Sequence, residues 1–547
     1  MRRLFGTAWW LAALILSQLS GPAIAGPSFD PALPRIETRE GRHALIVDGE
    51  PFLILGAQAN NSSNYPAMLP DVWPVIEALH ANTLEIPIAW EQVEPVEGRF
   101  DFSYLDTLVA QARERDIRIV LLWFATWKNT SASYAPGWVK TDTERFPRMI
   151  TKDGTAHYAL SPHGSETLAA DKRAFIRLME HIREIDPDNT IIMVQPQNEV
   201  GSYRSPRDYS PEANRLFEDA VPEALARLEG RSGTWSEVYG PIADQAFNSW
   251  YVARYIDEIA AAGQAVKDLP MYCNAALSGP FDDPVPEGLA SGGPNWNVID
   301  IWKAAAPHVD FVAPDIYTRD HRTYVEYLRL YSRPDNPLMV PETGNAADYA
   351  RFFWTALGKN AIGFAPFGMD ATRYYNYPLG APGLDEQTIE AFAAKYRAFA
   401  PMARDWARIS LEHPTWGVAK ADDNETQSTV MGRWKISALF GLPQFGEPEW
   451  DWLEWEPPAF ADQPVGGAVV AQLGPDEFLI AGDYLRLRFA LADPAEGESS
   501  QILSAEEGTY VDGEWRMKRR WNGDQIDYGF NFTRQPLFLR VKLGSYR

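Results

Sequence analysis

Between about residues 40 and 400, eight short apolar runs alternate with helical stretches, and strict alternation of that kind predicts a parallel sheet wrapped by helices. After about residue 410 the texture changes to apolar and polar residues alternating with a period of two, broken by Gly, Asp and Asn, which predicts antiparallel β-structure. The 547 residues, 46% of them apolar, suffice for one large domain and a smaller one. The predicted class is therefore α/β: a (β/α)8 TIM barrel over residues 26–410, followed by a C-terminal antiparallel β-sandwich domain over residues 411–547.

The elements follow in order. HALIVDGEPFLILGAQAN supplies two strands, the second near 52–58 and ending at Gln58. DVWPVIEALHAN reads as a helix with Asp71 as its N-cap, and TLEIPIAW as strand two near 83–90. FSYLDTLVAQARERD places Leu105, Leu108, Val109 and Ala112 on one helical face. IRIVLLWFATW is strand three near 117–124. A long loop through Pro147 and His157 leads to the helical ETLAADKRAFIRLMEHIREID, and TIIMVQPQNE is strand four near 190–197. Helices near 211–228 and 241–262 precede strand five near 270–276. Strand six falls near 310–316, a helix near 321–331, strand seven near 338–342, strand eight near 361–367 and a closing helix near 386–406. No Gly-rich phosphate fingerprint follows any strand, so the competing nucleotide-binding open sheet lacks support. At the start of the C-terminal region, the aromatic cluster WDWLEWEPPAF is expected to pack the sandwich against the barrel; a sugar-binding surface is the alternative.

The formal charge of −24 disfavours nucleic acid as a partner, because such binding relies on Lys and Arg neutralising phosphates. Twenty Trp, 23 Tyr and 26 Phe fit large aromatic cores, and also the stacking of flat sugar faces. The N-terminus has Arg2 and Arg3, then an apolar stretch to about Leu19, then Ala23-Ile24-Ala25. This predicts a signal peptide over residues 1–25, cleaved after Ala25, and a periplasmic or secreted protein with no membrane anchor. The single Cys273 excludes an internal disulfide.

In such a barrel, catalytic side chains sit at the C-terminal ends of the strands. The polar residues there include Gln58 and Asn60, Trp90 with Glu91 and Glu94, Trp127 with Lys128 and Asn129, and Gln197-Asn198-Glu199. Asn274, Asp315, Tyr317, Glu342 and Asp370 complete the set. Glu199 ends strand four and Glu342 ends strand seven. Two carboxylates so placed suit glycosidic bond cleavage: one gives the leaving oxygen a proton, the other attacks the anomeric carbon. The bland alternative, that each Glu merely caps the following helix, is weakened because neither lies in a capping box. Side chains alternate along a strand, so Asn198 and Glu199 can both reach a site only if the strand end is bulged or turns sharply. No metal-ligand spacing of His and no GxSxG elbow occurs, so neither a metal nor a cofactor is expected.

The run TIIMVQPQNEVGSY resembles glycoside hydrolase family 35, the retaining β-galactosidases, in which an Ile-Met-Val-Gln run leads to Asn-Glu and Gly-Ser-Tyr. Trp90, Glu94-Pro95, Gly98 and Asp101-Phe102 resemble a second segment of that family. The resemblance, over roughly residues 40–400, implies Glu199 as general acid/base, Glu342 as nucleophile, Tyr317 beside the nucleophile and Asn198 on the sugar 2-hydroxyl. It implies further sugar contacts from Trp90, Glu94, Trp127 and Asn129. Gln197 departs from the Glu common there, and QANNSSNY and LLWFATWKN depart from the usual segments after strands one and three. WFATWKN with a C-terminal β domain looks most like a bacterial subgroup that degrades plant polysaccharides. The implied activity is exo-acting release of terminal β-galactosyl residues from oligosaccharides such as galactosylated xyloglucan. The alternatives are a related β-glucosidase, β-mannanase or endo-glucanase, and a non-catalytic glycan-binding protein.

Overall fold

The computed structural model describes residues 33–281, 290–444, 446–447, 450–454 and 456–547; the signal peptide expected over residues 1–25 lies outside them. Eight parallel strands form the barrel: β1 (Ile54–Gln58), β2 (Thr83–Ala89), β3 (Arg118–Lys128), β4 (Ile191–Asn198), β5 (Tyr272–Ala276), β6 (Phe311–Ile316), β7 (Met339–Thr343) and β8 (Gly363–Pro366). Their order in the sheet is β5-β6-β7-β8-β1-β2-β3-β4. A parallel bridge between Val194 and Met271 joins β4 to β5 and closes the ring.

The barrel interior is packed, not hollow. Ile54, Val120, Leu122, Phe124, Met193, Phe311 and Met339 form one buried cluster. Leu45, Val47 and Phe52, from an antiparallel sheet of three short strands ahead of β1, pack into the same cluster. Chemistry is therefore left to the strands' C-terminal ends. The first barrel helix runs Leu69–Ala78 with Met68 as its N-cap, three residues earlier than the Asp71 cap the sequence suggested. Pro70 fits the first helical turn, where its missing N–H costs nothing, so Asp71 lies inside that turn.

The last barrel helix ends at Glu412 and the second unit begins with β9 (Thr415–Ala419). Then come β10 (Gln427–Met431), β11 (Trp434–Phe440), β12 (Gly467–Gly474), β13 (Glu477–Asp483) and β14 (Leu485–Leu491). β15 (Ser499–Val511), β16 (Glu514–Trp521), β17 (Phe530–Phe532) and β18 (Leu537–Tyr546) complete the unit. They form a six-stranded sheet, β9-β12-β13-β18-β15-β16, and a four-stranded sheet, β10-β11-β14-β17. Trp434, Ile436, Leu487, Phe478 and Val541 fill the core shared by the two sheets.

The seam between the units is close and apolar. A Cβ on Gly358, at the end of the helix Phe352–Gly358, would lie 1.8 Å from the Gly417 nitrogen, so only glycine allows the helix to meet β9. Trp354 Nε1 donates to Asp483 at 2.8 Å, and Lys395 Nζ to the other Asp483 oxygen at 2.7 Å. Phe399 packs on Phe538 at 4.8 Å between ring centroids. Among the described residues, the cluster at WDWLEWEPPAF contributes nothing to the apolar core of this seam. Trp450 stacks on Trp452 and packs edge-on to Tyr528 of the sandwich itself, while Trp452 is 69% exposed; Trp455 lies outside the described residues. The aromatic residues that do stand at the seam are Trp354, Phe399 and Phe538.

Candidate active site

The end of β4 is bent twice. Gln197 has φ 66° and Glu199 has φ 42°, both in the left-handed region that non-glycine residues rarely enter. β3 extends four residues further than expected, and its register against β4 slips: Trp123 pairs with Pro196 but Lys128 pairs with Asn198. These two departures break the strand's alternation, and neighbouring Asn198 and Glu199 both reach the site.

Such a backbone persists only when its surroundings hold it. The Gln197 side chain accepts from the Trp127 backbone N–H at 2.9 Å and donates to Asp171 at 2.7 Å. Asp171 also accepts from Trp123 Nε1 and Thr126 Oγ1, at 2.8 and 2.5 Å. Burial pushes the Asp171 carboxyl up to about 6 despite these donors. The carbonyl of Asn198 accepts from the Asn129 N–H, that of Glu199 from the Thr130 N–H, and the Glu199 N–H donates to Asn274 Oδ1 at 2.9 Å.

Glu342, buried at the end of β7, is ringed by neutral donors. One oxygen accepts from Gln58 Nε2 at 3.0 Å, Asn198 Nδ2 at 3.1 Å and, more weakly, Asn274 Nδ2 at 3.5 Å. The other accepts from the Tyr317 hydroxyl at 2.8 Å. Burial and the Glu342 charge hold that phenol well above its ordinary range, so it stays a donor. Four donors thus converge on one carboxyl and fix the position of both its oxygens.

Glu199 has the opposite surroundings. Burial first and the Glu342 charge second raise its carboxyl to about 7, against the lowering effect of Lys128 and of Asp315. Lys128 is itself buried and donates to Asn198 Oδ1 at 2.6 Å and to Asn129 Oδ1. Oxygens of Glu199, Asp315 and Glu342 all lie within 4.8 Å of one another. Beneath them on β2, Glu85 is fully buried and held well above the usual carboxylate range by burial and by Glu342. A carboxyl raised to about 7 beside a second carboxyl ringed by donors is an arrangement that suits acid-assisted nucleophilic substitution.

The structure thus brings Glu199, Glu342, Asn198 and Tyr317 together, with Asn129 exposed beside them on Lys128. It places Trp90, Glu94 and Trp127 elsewhere, which corrects their expected contact with the sugar. Trp90 is fully buried, its Nε1 donating to Glu94 Oε2 at 2.9 Å and its ring set edge-on to Trp138. The other Glu94 oxygen accepts from the Gly98 N–H and from Arg173. Trp127 is also fully buried, donates to the Leu160 carbonyl and packs edge-on to Tyr255. These groups are occupied within the scaffold and present no face to a sugar. Gln58, Lys128, Asn274 and Asp315 stood among the strand-end residues without a role; Glu85 showed only as an acid inside the apolar run TLEIPIA. The three clustered carboxylates could in principle hold a cation. The Gln58, Asn198, Asn274 and Tyr317 hydrogens all point at Glu342, however, and Lys128 stands alongside, which suits sugar hydroxyls better than a metal ion.

Residues 74–266 match the family model Glyco_hydro_42, described as beta-galactosidase. That segment is similar to a glycoside hydrolase family. The matched family is thus 42 rather than the family 35 that the motifs resemble; the β-galactosidase description is common to the two. The match contains Glu199; Glu342 lies beyond it. Residues 392–533 match a domain of unknown function, DUF5597. The chain is 21% identical over 203 residues to beta-galactosidase BbgII of Bifidobacterium bifidum, a match covering 35% of this chain and 28% of that protein. Among solved structures it resembles beta-galactosidase from the psychrophilic Marinomonas ef1 (TM-score 0.47, 12% identity, 66% of this chain and 62% of that one). It also resembles beta-galactosidase from Bacillus circulans sp. alkalophilus (TM-score 0.44, 14% identity, 65% and 57%). The chain thus spans less than a third of the curated relative and less than two thirds of these two structures.

Proposed function

We propose that this protein is a retaining, exo-acting β-galactosidase that removes terminal galactosyl residues from plant-derived glycans such as galactosylated xyloglucan, and that residues 1–25 direct its export. The observation that carries the chemistry is the pair of contrasting carboxyls: Glu342 ringed by donors, Glu199 raised to about 7 chiefly by burial. The β-galactosidase description of the matched family supports the sugar. Oxygens within 4.8 Å favour retention, because inverting enzymes keep their carboxyls ~6.5–9.5 Å apart to admit a water between them.

In the first step a Glu342 oxygen forms a bond to the anomeric carbon as the bond to the leaving oxygen breaks, and Glu199 gives that oxygen its proton. In the second, Glu199, now a carboxylate, takes a proton from water as the water oxygen displaces Glu342 and restores its charge. Asn198 is held between Glu342 and Lys128, where it can meet the 2-hydroxyl.

Proton NMR of aryl β-galactoside hydrolysis tests the reading; the β-anomer of galactose should appear first. Glu342→Gln should lower kcat by about four orders of magnitude, and Glu199→Ala should slow poor leaving groups far more than activated aryl ones. Wild-type rates in both variants would sink the assignment, and an α-anomer first product would sink retention.

A further inference from the structure

The seam between the two units holds a cleft of about 670 Å³ that shares no residue with the site around Glu199 and Glu342. That volume lies in the range of small-molecule sites. On the barrel side the cleft is lined from the turn Ala347–Arg351 and the helix Glu386–Phe399; on the sandwich side, from Gln463, Val465, Asp483, Tyr484 and Arg534. Arg351 lines it and yet is only 2% exposed. Its guanidinium lies over the Phe352 ring at 4.7 Å. Nη2 donates to the Arg319 carbonyl at 2.8 Å and to Asp422 Oδ1 at 3.3 Å. Nε and Nη1, which carry the other N–H bonds, meet no acceptor among the described residues. Unmet donors on a buried cation cost more than those on a neutral group. Nor are the orphaned atoms confined to this residue. Asp348 Oδ1 and Thr355 Oγ1 are also buried without a partner, and positions 348, 351 and 355 have the spacing of one helical face. His321, whose ring packs on the same Phe352, leaves its Nε2 unmet as well.

We infer that this cleft is a second ligand site, apart from the active site, which takes a small sugar acid and receives its carboxylate on the unmet N–H groups of Arg351. A carboxylate suits a guanidinium because its oxygens accept charge-assisted hydrogen bonds. The other charges on the walls are already answered or lie in water. Lys395 holds Asp483, and Arg397 holds Glu390. Glu386 and Arg534 are both exposed, opposite in sign and screened by solvent. For the rest of the ligand, Gln387, Gln463 and Tyr484 line the same cleft and offer two amides and a phenol to hydroxyl groups. An inorganic ion would leave most of the volume unfilled. An apolar molecule would leave Arg351 unmet.

Calorimetric titration of the intact chain tests this, with glucuronate and galacturonate as probes and glucose as the uncharged control. Both acids should bind saturably, and glucose about tenfold more weakly or worse. Arg351→Met should weaken the acids by about tenfold or more, the loss expected for charge-assisted hydrogen bonds. Ala394→Trp should weaken them as much while leaving the guanidinium in place, because its indole would occupy the cleft. A ligand held at Glu199 and Glu342 would not feel that change. No saturable binding of either acid, glucose bound as tightly as the acids, or unchanged affinity in Ala394→Trp overturns the proposal. A crystal of the wild type soaked in glucuronate decides even where a variant does not fold. The carboxylate should lie within hydrogen-bond distance of Arg351 Nε or Nη1, and ordered water alone at those atoms overturns the proposal. The inference does not depend on the glycosidase reading: a wild type that binds the acids but hydrolyses no aryl β-galactoside would sink that reading and leave this site standing.

Discussion

Among the described residues, Lys128 is the cation that faces the group of acids around Glu199, and its effect on Glu199 has a definite sign. The ammonium favours the charged form of Glu199 and so holds its carboxyl lower than burial alone would. Since the first step needs Glu199 protonated, activity should decline as pH rises through about 7, where the carboxyl loses its proton. Lys128→Met should move that decline upward by about half a unit or more while lowering kcat, because Asn198 also loses its anchor. A pH–rate profile measured on both proteins checks this; an unmoved or lowered limb would show that Lys128 does not act on Glu199. Lys128 stood in the sequence beside Trp127, for which the resemblance implied a sugar contact. An indole at a strand end looks the same whether it faces a ligand or a helix, and only its N–H partner tells them apart. For Trp127 that partner is the Leu160 carbonyl.

The bent end of β4 shows how a strand can present consecutive side chains to one site. The sequence displayed the need for it, since Asn198 and Glu199 could not otherwise face the same way. It did not display the means, which is a contact between Gln197 and Asp171 on the helix Ser165–Ile185, far away in sequence. Gln197→Glu tests how closely that contact is tuned. The new carboxyl would meet Asp171 at the 2.7 Å now spanned by the Gln197 amide, so one of the pair must keep a proton. A buried acid whose folded-state affinity for protons exceeds its unfolded value costs stability that grows as pH rises between the two. The variant should lose about 2 kcal/mol near neutrality and less at acid pH, read as a Tm deficit that widens on going from about pH 5 to about pH 8. A deficit independent of pH would mean that shape, not charge, selects glutamine. The eight strands were legible because each is an apolar run bounded by polar ends. β3 was placed near 117–124, where the run of large apolar residues gives way to Ala125 and Thr126, although the structure continues it to Lys128 and pairs Lys128 with Asn198.

At the scale of the whole molecule, the barrel and the sandwich share one apolar cluster that runs from Phe353, Phe399 and Trp406 to Val469, Leu479 and Phe538. Two glycines set its spacing. Gly358→Ala would drive a methyl into the Gly417 backbone, and neither chain can yield without opening the seam. Overpacking of this kind should cost about 3 kcal/mol, and calorimetry should show one lowered transition, not two separate ones, because the shared core couples the units. Two resolved transitions would show that the units melt independently. The sequence announced the second unit through its change of period, but not this coupling: glycines in contact across about sixty positions leave no local pattern.

That shared core also sets an order of events at the ribosome. The barrel's last helix emerges with Glu412, when the ring of strands is already complete. The helix face bearing Trp354 and Phe399 must then wait, uncovered, until β9, β12 and finally Phe538 on β18 have been made. A nascent chain halted between those points exposes a broad aromatic surface, and its passage through that interval is where chaperone binding or aggregation would be decided.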